Sequence, residues 1–170
     1  MSKLADFRSA KDYFFQNDSQ SPLDPAQRKT FTGLNYYPEN PNSRFELPLE
    51  RAVKNKQIIM LTSTGDEQEY VHIGQINFVV QKQTAILQVY VSAGGGDYFI
   101  PFVDATAPSE TYGAGRYLEP EDMGNGNLHV DFNLVYNPYC AYNGRWSCPI
   151  PPRQNRIAVR IEAGEKKFRE

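Results

Sequence analysis

Apolar and polar residues alternate along most of the chain after residue 43, a pattern typical of β-strands with one buried face. The clearest case is the segment 83–92, in which every second side chain from position 85 is apolar: Ala85, Leu87, Val89 and Val91. Similar patterns predict seven further strands, over residues 44–50, 57–63, 69–80, 98–104, 115–121, 127–137 and 155–163. About eight short strands linked by hairpins favour a mainly β fold, built as an antiparallel β-barrel or sandwich.

The N-terminal residues have a helical pattern. Leu4, Phe7 and Phe14 recur at the spacing of one helix face. Ser2 precedes them and is a suitable N-cap. These features predict a short helix over residues 2–15, which would cover an open end or an edge of the β structure.

The organisation of the rest follows from these two patterns. Residues 17–28 are rich in Pro and Asp and predict a loop with one helical turn after Pro25. We therefore expect a helical and loop arm over 1–30 and a β core over 44–165. No internal repeat or linker divides the chain, so 1–170 is predicted to be a single domain.

Composition and charge exclude several functional classes. The 170 residues carry 18 Lys and Arg against 20 Asp and Glu, a net charge of −2, so the chain lacks the positive field that holds nucleic acid. No segment approaches the ~18 consecutive apolar residues of a membrane helix, and the first residues lack a signal-peptide pattern. We expect a cytoplasmic protein without a nucleic-acid or membrane partner.

Aromatic residues are unusually frequent, at 13% of the chain, and 12 Pro and 12 Gly accompany them. Many of the aromatics fall in irregular segments of the second half, where a planar or cationic ligand would meet an aromatic box formed by Tyr112, Tyr117, Tyr136, Tyr139, Tyr142 and Trp146. The alternative is that these rings pack the core and the loops.

Basic residues in the second half are arginines. Between Lys82 and Lys166 the basic residues are Arg116, Arg145, Arg153, Arg156 and Arg160. The planar guanidinium binds carboxylates and phosphates through two parallel hydrogen bonds, which suits a partly dry site.

Charged residues near Arg116 are the first candidates for a ligand site: Asp104, Glu110 and Asp131. In one interpretation Arg116 holds an anionic ligand group, while Glu110 or Asp131 orients the ligand or accepts a proton as a general base. In the other, Arg116 pairs with carboxylates only to close the fold and brace loops.

The predicted strand 127–137 adds polar candidates because Asp and Asn are poor strand formers. Alternation places Asp131, Asn133 and Asn137 on the face opposite the apolar row. We expect specific hydrogen bonds to hold these side chains, and we expect their face of the strand to line a polar pocket and not to face bulk solvent. Tyr136 and Tyr139 follow closely and join the predicted ligand-binding residues.

Two cysteines, Cys140 and Cys148, leave three interpretations open. They are small buried apolar groups, a nucleophilic or redox pair, or half of a zinc site completed by His72 and His129. The spacing matches neither the short C-x-x-C motif nor a compact zinc motif. No metal site and no particular cofactor are predicted.

Several motifs together resemble the bacterial family known as domain of unknown function 1684. They are DAT at 104–106, ETYGAGRYL at 110–118, DFN at 131–133, YNPYCAY at 136–142, CPIPPRQN at 148–155 and AGE at 163–165. The opening pattern matches as well, with Arg8, KDYFF at 11–15, SPL at 21–23 and FTGL at 31–34. The resemblance implies a bacterial or archaeal origin and carries no settled activity.

The residues thus favour a binding protein. We expect one polar pocket, walled by the loop 104–117, the strand 127–137 and the crossing 136–155, that takes a small molecule with an anionic group. The alternatives are a small-molecule enzyme with hydrolase-like acid–base chemistry and a structural or interaction protein. The sequence does not indicate the oligomeric state.

Overall fold

Two helices precede the β structure in the computed structural model, which describes residues 2–169. Helix α1 spans Lys3–Asn17, and the side chain of Ser2 caps it, as predicted. Helix α2 spans Pro25–Thr30 and begins with a capping box, in which Asp24 and the glutamine three residues later satisfy each other's backbone N–H groups. The predicted helix and the predicted turn after Pro25 are both confirmed.

Eight strands follow within the described residues. They are β1 (Arg44–Pro48), β2 (Glu50–Leu61), β3 (Glu67–Val80), β4 (Gln83–Ser92), β5 (Ile100–Phe102), β6 (Arg116–Leu118), β7 (Glu121–Asp122) and β8 (Asn127–Asp131). They form three sheets in the orders β1-β8-β7, β2-β3-β4 and β5-β6, and every strand pair is antiparallel. The mainly β prediction is confirmed, whereas the sheets of residues 2–169 do not close into a barrel.

The main core is built from buried apolar residues of β3, β4, β5, β6 and β8 and of the segments after β8. Leu87 and Val89 of β4 are fully buried there, as the alternation predicted. Phe132 lies at the centre of an aromatic group, with ring centroids 5.2 Å from Phe78, 6.0 Å from Phe45 and 6.0 Å from Phe102. The strands β1, β3, β5 and the segment after β8 therefore share one apolar interior.

A second apolar cluster holds the N-terminal arm. Phe15 of α1 is 1% exposed and packs edge-on against Tyr142, with ring centroids 4.9 Å apart. Leu23 and Phe31 complete the buried part of this cluster. Helix α1 therefore packs on an irregular segment of the second half instead of on a sheet edge.

The strand predicted over 127–137 was too long. β8 ends at Asp131, and a 3₁₀ turn, Phe132–Leu134, follows because the Asp131 carboxylate accepts the N–H of Asn133 at 2.9 Å. The turn breaks the predicted alternation, so Leu134 is 40% exposed while Val135 is buried. Asp and Asn side chains compete with a strand ladder in this way.

The strand predicted over 155–163 is wrong. The segment begins with a 3₁₀ turn, Arg153–Asn155, and then forms only one isolated parallel bridge, between Arg156 and Val103, before it bends at residues 158–159. Burial still alternates, with Val159 and Ile161 inside. Backbone and side-chain bonds to the residues after β5 hold it: the N–H of Ala105 donates to the carbonyl oxygen of Val159 at 2.9 Å, and Asp104 accepts the N–H of Ile161 at 2.6 Å.

The strands predicted over 98–104 and 115–121 are shorter than expected. The first is reduced to β5, and the second is divided between β6 and β7. Residues between β5 and β6 form turns in which Asp104 and Thr106 bond to each other, so their backbone leaves the sheet.

The close approach of the chain at Gly164 yields a stability prediction. Its φ is +79°, and a Cβ there would lie 2.7 Å from the carbonyl oxygen of Val135. Gly164→Ala should lower the free energy of unfolding by about 2–4 kcal/mol, since overpacking adds to the left-handed strain. Gly124→Ala is the matched control, because its φ is +78° and nothing lies within 4 Å of the added atom. Urea unfolding followed by tryptophan fluorescence measures both, and equal losses would contradict the steric explanation.

Candidate functional site

Arg116 lies in the interior of the protein, at the start of β6. It is 1% exposed, and its Nη1 donates to the carbonyl oxygens of Ala163 at 2.6 Å and Glu165 at 3.1 Å. Its Nη2 donates to the carbonyl oxygen of Ile161 at 3.0 Å and to the Asp104 carboxylate at 3.3 Å. These partners belong to the chain itself, so the guanidinium presents no open face to a ligand anion.

Asp104 completes this buried cluster. Besides Arg116 and the N–H of Ile161, its carboxylate accepts the Thr106 hydroxyl at 2.9 Å. Both members of the predicted Asp104–Arg116 pair thus hold the segment 161–165 in place. Their contacts favour the bracing interpretation over the ligand-binding one.

Glu110 lies apart from this cluster, at a partly exposed position. Its carboxylate forms an ion pair with Arg160 and accepts the hydroxyl of Tyr37 at 3.0 Å. The hydrogen bonds from Arg160 and then Tyr37 lower the pKa of Glu110 below its ordinary value. A carboxylate with a lowered pKa is a weaker proton acceptor, which does not suit the predicted general base.

Asp131 and Asn133 hold the chain ahead of β1. The Asp131 carboxylate accepts the backbone and side-chain N–H groups of Asn133 at 2.9 Å each, and Arg44 Nε at 3.1 Å. The amide of Asn133 in turn exchanges two hydrogen bonds with the backbone of Asn40, at 2.8 and 2.9 Å. The prediction that specific hydrogen bonds hold these two side chains is confirmed. The same bonds occupy the groups that a ligand would need.

Glu165 is a buried residue that the sequence interpretation did not select. Its carboxylate accepts the N–H of Asn137 at 2.7 Å and the Tyr142 hydroxyl, and it pairs with Lys11 Nζ at 2.6 Å. The side-chain amide of Asn137 donates to the carbonyl oxygen of Lys166 at 3.0 Å. Glu165 therefore joins helix α1 to the irregular second half. Nothing in its local sequence indicated this, because its three partners are distant along the chain.

Of the predicted ligand residues, Tyr136 and Tyr139 alone line the largest apolar cavity described here. This cavity, the aromatic groove, has a volume of about 620 Å³ and lies between α1 and the segment 136–149. Its aromatic rings come from two sides: Phe7, Phe14 and Phe15 of α1, and Tyr136, Tyr139 and Trp146 of the irregular segment. Cys148, Tyr117 and Lys11 also line it.

The polar atoms of the groove are mostly bonded within the protein. Tyr136 donates its hydroxyl proton to Glu119, and Tyr117 donates to the carbonyl oxygen of Pro149. Trp146 Nε1 donates to the carbonyl oxygen of Pro22 at 3.0 Å. Burial raises the pKa values of Tyr117 and Tyr136, so both remain neutral and present apolar rings. Lys11 is the basic side chain of the lining, with its Nζ 5.0 Å from the centre of the Tyr136 ring.

Two other depressions have different chemistry. One, of about 680 Å³ beside β7, is lined by the acidic residues Asp97, Glu119, Glu121 and Asp122, which repel an anion. Another, of about 650 Å³, contains Glu110 with Lys166 and Lys167. The predicted site residues are therefore distributed over separate places and do not share one hollow.

The zinc interpretation of the cysteines receives no support. Across residues 2–169 no three His, Cys, Asp or Glu side chains are grouped so that they could hold a metal ion. His72 bonds instead to the amide of Gln88, at 2.7 Å. The two cysteines remain as a pair of free thiols.

These observations define a mainly β protein whose irregular second half is braced by buried ion pairs and forms an aromatic groove with an N-terminal helix. The chain belongs to the family described as "Protein of unknown function (DUF1684)", whose model matches residues 29–166. The resemblance inferred from the motifs is thereby confirmed.

A solved structure supports the fold. The solution NMR structure of an uncharacterized protein of Haloarcula marismortui is similar, with a TM-score of 0.73 and 33% sequence identity. The match covers 96% of this chain and 92% of that one. Among curated proteins, none has a matching sequence. In the part of the chain that the structure describes, neither helix is long and apolar enough to cross a membrane.

Replacement of Arg116 by lysine tests the bracing role. An ammonium cannot reach all four acceptors of the guanidinium. Arg116→Lys should therefore lower the free energy of unfolding by about 3 kcal/mol or more, the value of two charge-assisted hydrogen bonds. The control, Arg160→Lys, changes an exposed ion pair and should leave stability nearly unchanged. Urea unfolding compares them, and a parent-like Arg116→Lys would argue against bracing.

Proposed function

We propose that this protein binds a small molecule with a flat, apolar body and one anionic group in the aromatic groove. The observation that carries the proposal is the composition of the groove: aromatic rings on both sides and the single basic side chain Lys11. Concave apolar sites with few polar groups are the usual form of small-molecule sites. The volume of about 620 Å³ falls within their ordinary range of roughly 300–1,000 Å³.

The anionic group of the ligand is assigned to Lys11 in place of Arg116. An ammonium has three N–H donors, and the Nζ of Lys11 forms one ion pair within the protein, with Glu165 at 2.6 Å. The remaining donors are available to a carboxylate, sulfonate or phosphate at the edge of the groove. Lys11 Nζ also lies 5.0 Å from the Tyr136 ring, so the same ligand would contact an aromatic face beside the charge.

The contacts of the acidic residues support binding without a chemical step. Glu110 is paired with Arg160, Asp131 with Arg44, and neither lines the groove. The tyrosine hydroxyls next to the groove are already bonded to protein acceptors. The predicted hydrolase-like chemistry needs a carboxylate within hydrogen-bond reach of the ligand, and the lining of the groove contains none.

A pair of fluorescent probes tests the proposal. Anilinonaphthalene sulfonate has an apolar aromatic body and one anionic group, and phenylnaphthylamine has the same body without the charge. Both should quench Trp146, the only tryptophan of the chain, because it lines the groove. The sulfonate should bind about tenfold more tightly, the value of one charge-assisted hydrogen bond. Fluorescence titration measures both dissociation constants, and equal affinities would refute the role of Lys11.

Two variants on one helix locate the binding site. Phe7 and Tyr13 are both exposed aromatics of α1, but Phe7 lines the groove and Tyr13 does not. Phe7→Ala should weaken the binding of both probes about tenfold, since the loss of one aromatic contact costs a free energy of this order. Tyr13→Ala should leave both affinities unchanged. If the two variants behave alike, the probes bind elsewhere and the groove is not the site.

A further inference from the structure

The two cysteines lie side by side although seven residues separate them in the chain. The backbone N–H of Cys140 donates to the sulfur of Cys148 across 3.3 Å. Cys140 belongs to a 3₁₀ turn, Tyr139–Ala141, and Cys148 follows the loop that carries Trp146. The sulfur of Cys148 thus lies within about 5 Å of the Cys140 Cα, since the N–Cα bond adds only about 1.5 Å. A disulfide bond needs the two side chains next to each other, and the contact of the Cys148 sulfur with the Cys140 backbone, together with the hydrogen bond between the two side chains, places them so.

Rigid contacts hold Cys148 in this position. Its N–H donates to the Ser63 hydroxyl at 3.1 Å, and its carbonyl oxygen accepts the N–H of Ser63 at 2.9 Å. The next residues continue along the end of β2, where the N–H of Ile150 donates to the carbonyl oxygen of Leu61 at 2.8 Å. The sulfur of Cys148 is therefore kept next to Cys140.

The two thiols differ in their surroundings. Hydrogen bonds from Cys148, Tyr112 and Ser63 lower the pKa of Cys140 to about 6, and the Tyr112 hydroxyl lies 3.7 Å from its sulfur. The hydrogen bond to Cys140, together with burial, raises the pKa of Cys148. These shifts favour the charge on Cys140 and the proton on Cys148, which is the arrangement of an attacking and a resolving thiol.

The two cysteines also line different depressions and differ in exposure. Cys140 is half-buried and lines a depression of about 300 Å³, which Asp24, Gln27, Asn143 and Arg169 also line. Cys148 is 8% exposed and lines the aromatic groove. Cys140 is therefore the more accessible of the two residues to a small reagent.

We propose that Cys140 and Cys148 are a redox-active dithiol that a small disulfide oxidises to an intramolecular disulfide. The Cys140 thiolate attacks one sulfur of the reagent, forming a mixed disulfide and releasing one thiolate. Cys148 then attacks the Cys140 sulfur, and its proton leaves with the second thiol of the reagent. Two protein thiols are oxidised and one small disulfide is reduced to two thiols. This site goes beyond the proposed function, because the reaction requires no ligand in the groove.

Oxidation of the native protein by glutathione disulfide tests the proposal. The wild type should lose both titratable thiols, and intact-mass spectrometry should show the loss of two hydrogens without an adduct. Cys148→Ala should stop at one glutathionyl adduct on Cys140, because the resolving thiol is absent. Cys140→Ala should react at least about tenfold more slowly, since a buried, protonated thiol is a poor nucleophile.

The pH dependence of alkylation separates this role from simple packing. In the wild type, the rate of Cys140 modification by iodoacetamide should have its midpoint near pH 6. Cys148→Ala or Tyr112→Phe should shift this midpoint to higher pH, because each removes a hydrogen-bond donor to the Cys140 sulfur. Retention of both thiols in excess glutathione disulfide would overturn the proposal. A stable adduct on the wild type would do the same. Both of these results come from the unsubstituted protein, so a folding defect in a variant does not obscure them.

Discussion

The buried ion pair of Arg116 and Asp104 is the constraint on which the second half of this protein depends. A guanidinium that is 1% exposed needs hydrogen-bond acceptors inside the protein. Three backbone carbonyls of the segment 161–165 and one carboxylate oxygen accept from its two terminal nitrogens, Nη1 and Nη2. These bonds hold the path of that segment, which belongs to none of the sheets and has one isolated bridge, between Glu165 and Tyr36. Glu165 at its end is then positioned to bind Lys11, Asn137 and Tyr142.

The aromatic groove follows from that position of Glu165. Lys11 belongs to α1, and Asn137 and Tyr142 belong to the irregular segment on the other side of the groove. One buried carboxylate therefore ties together the two walls, and the packing of Phe15 on Tyr142 reinforces the junction. Irregular segments held by a rigid scaffold are the places where binding groups commonly lie. The proposed ligand site and the proposed dithiol both belong to this region, and Cys148 contributes to each.

Side chains that replace backbone partners explain why this region is irregular. The amide of Asn155 is fully buried and exchanges hydrogen bonds with the backbone of Gln88 at 2.7 and 3.0 Å, as a neighbouring strand would do. Asp131 ends β8 by capping the turn that follows it. Polar side chains at these positions make hydrogen bonds that a neighbouring strand would otherwise make. The chain there continues or turns without joining a sheet.

The sequence alone determined the local features of the protein. Periodicity predicted α1, the long hairpin of β3 and β4 and the mainly β composition, because each depends on neighbouring side chains that share a face. The motifs also indicated the family. Only the tertiary structure decided that Arg116 is buried, that Glu165 joins the two walls of the groove, and that Asp131 and Tyr136 belong to different places. Those facts depend on contacts between residues far apart in the chain. Whether an arginine binds a ligand or braces the fold depends on the free-energy cost of removing its charge from water. That cost depends on the groups that the completed fold packs around the charge.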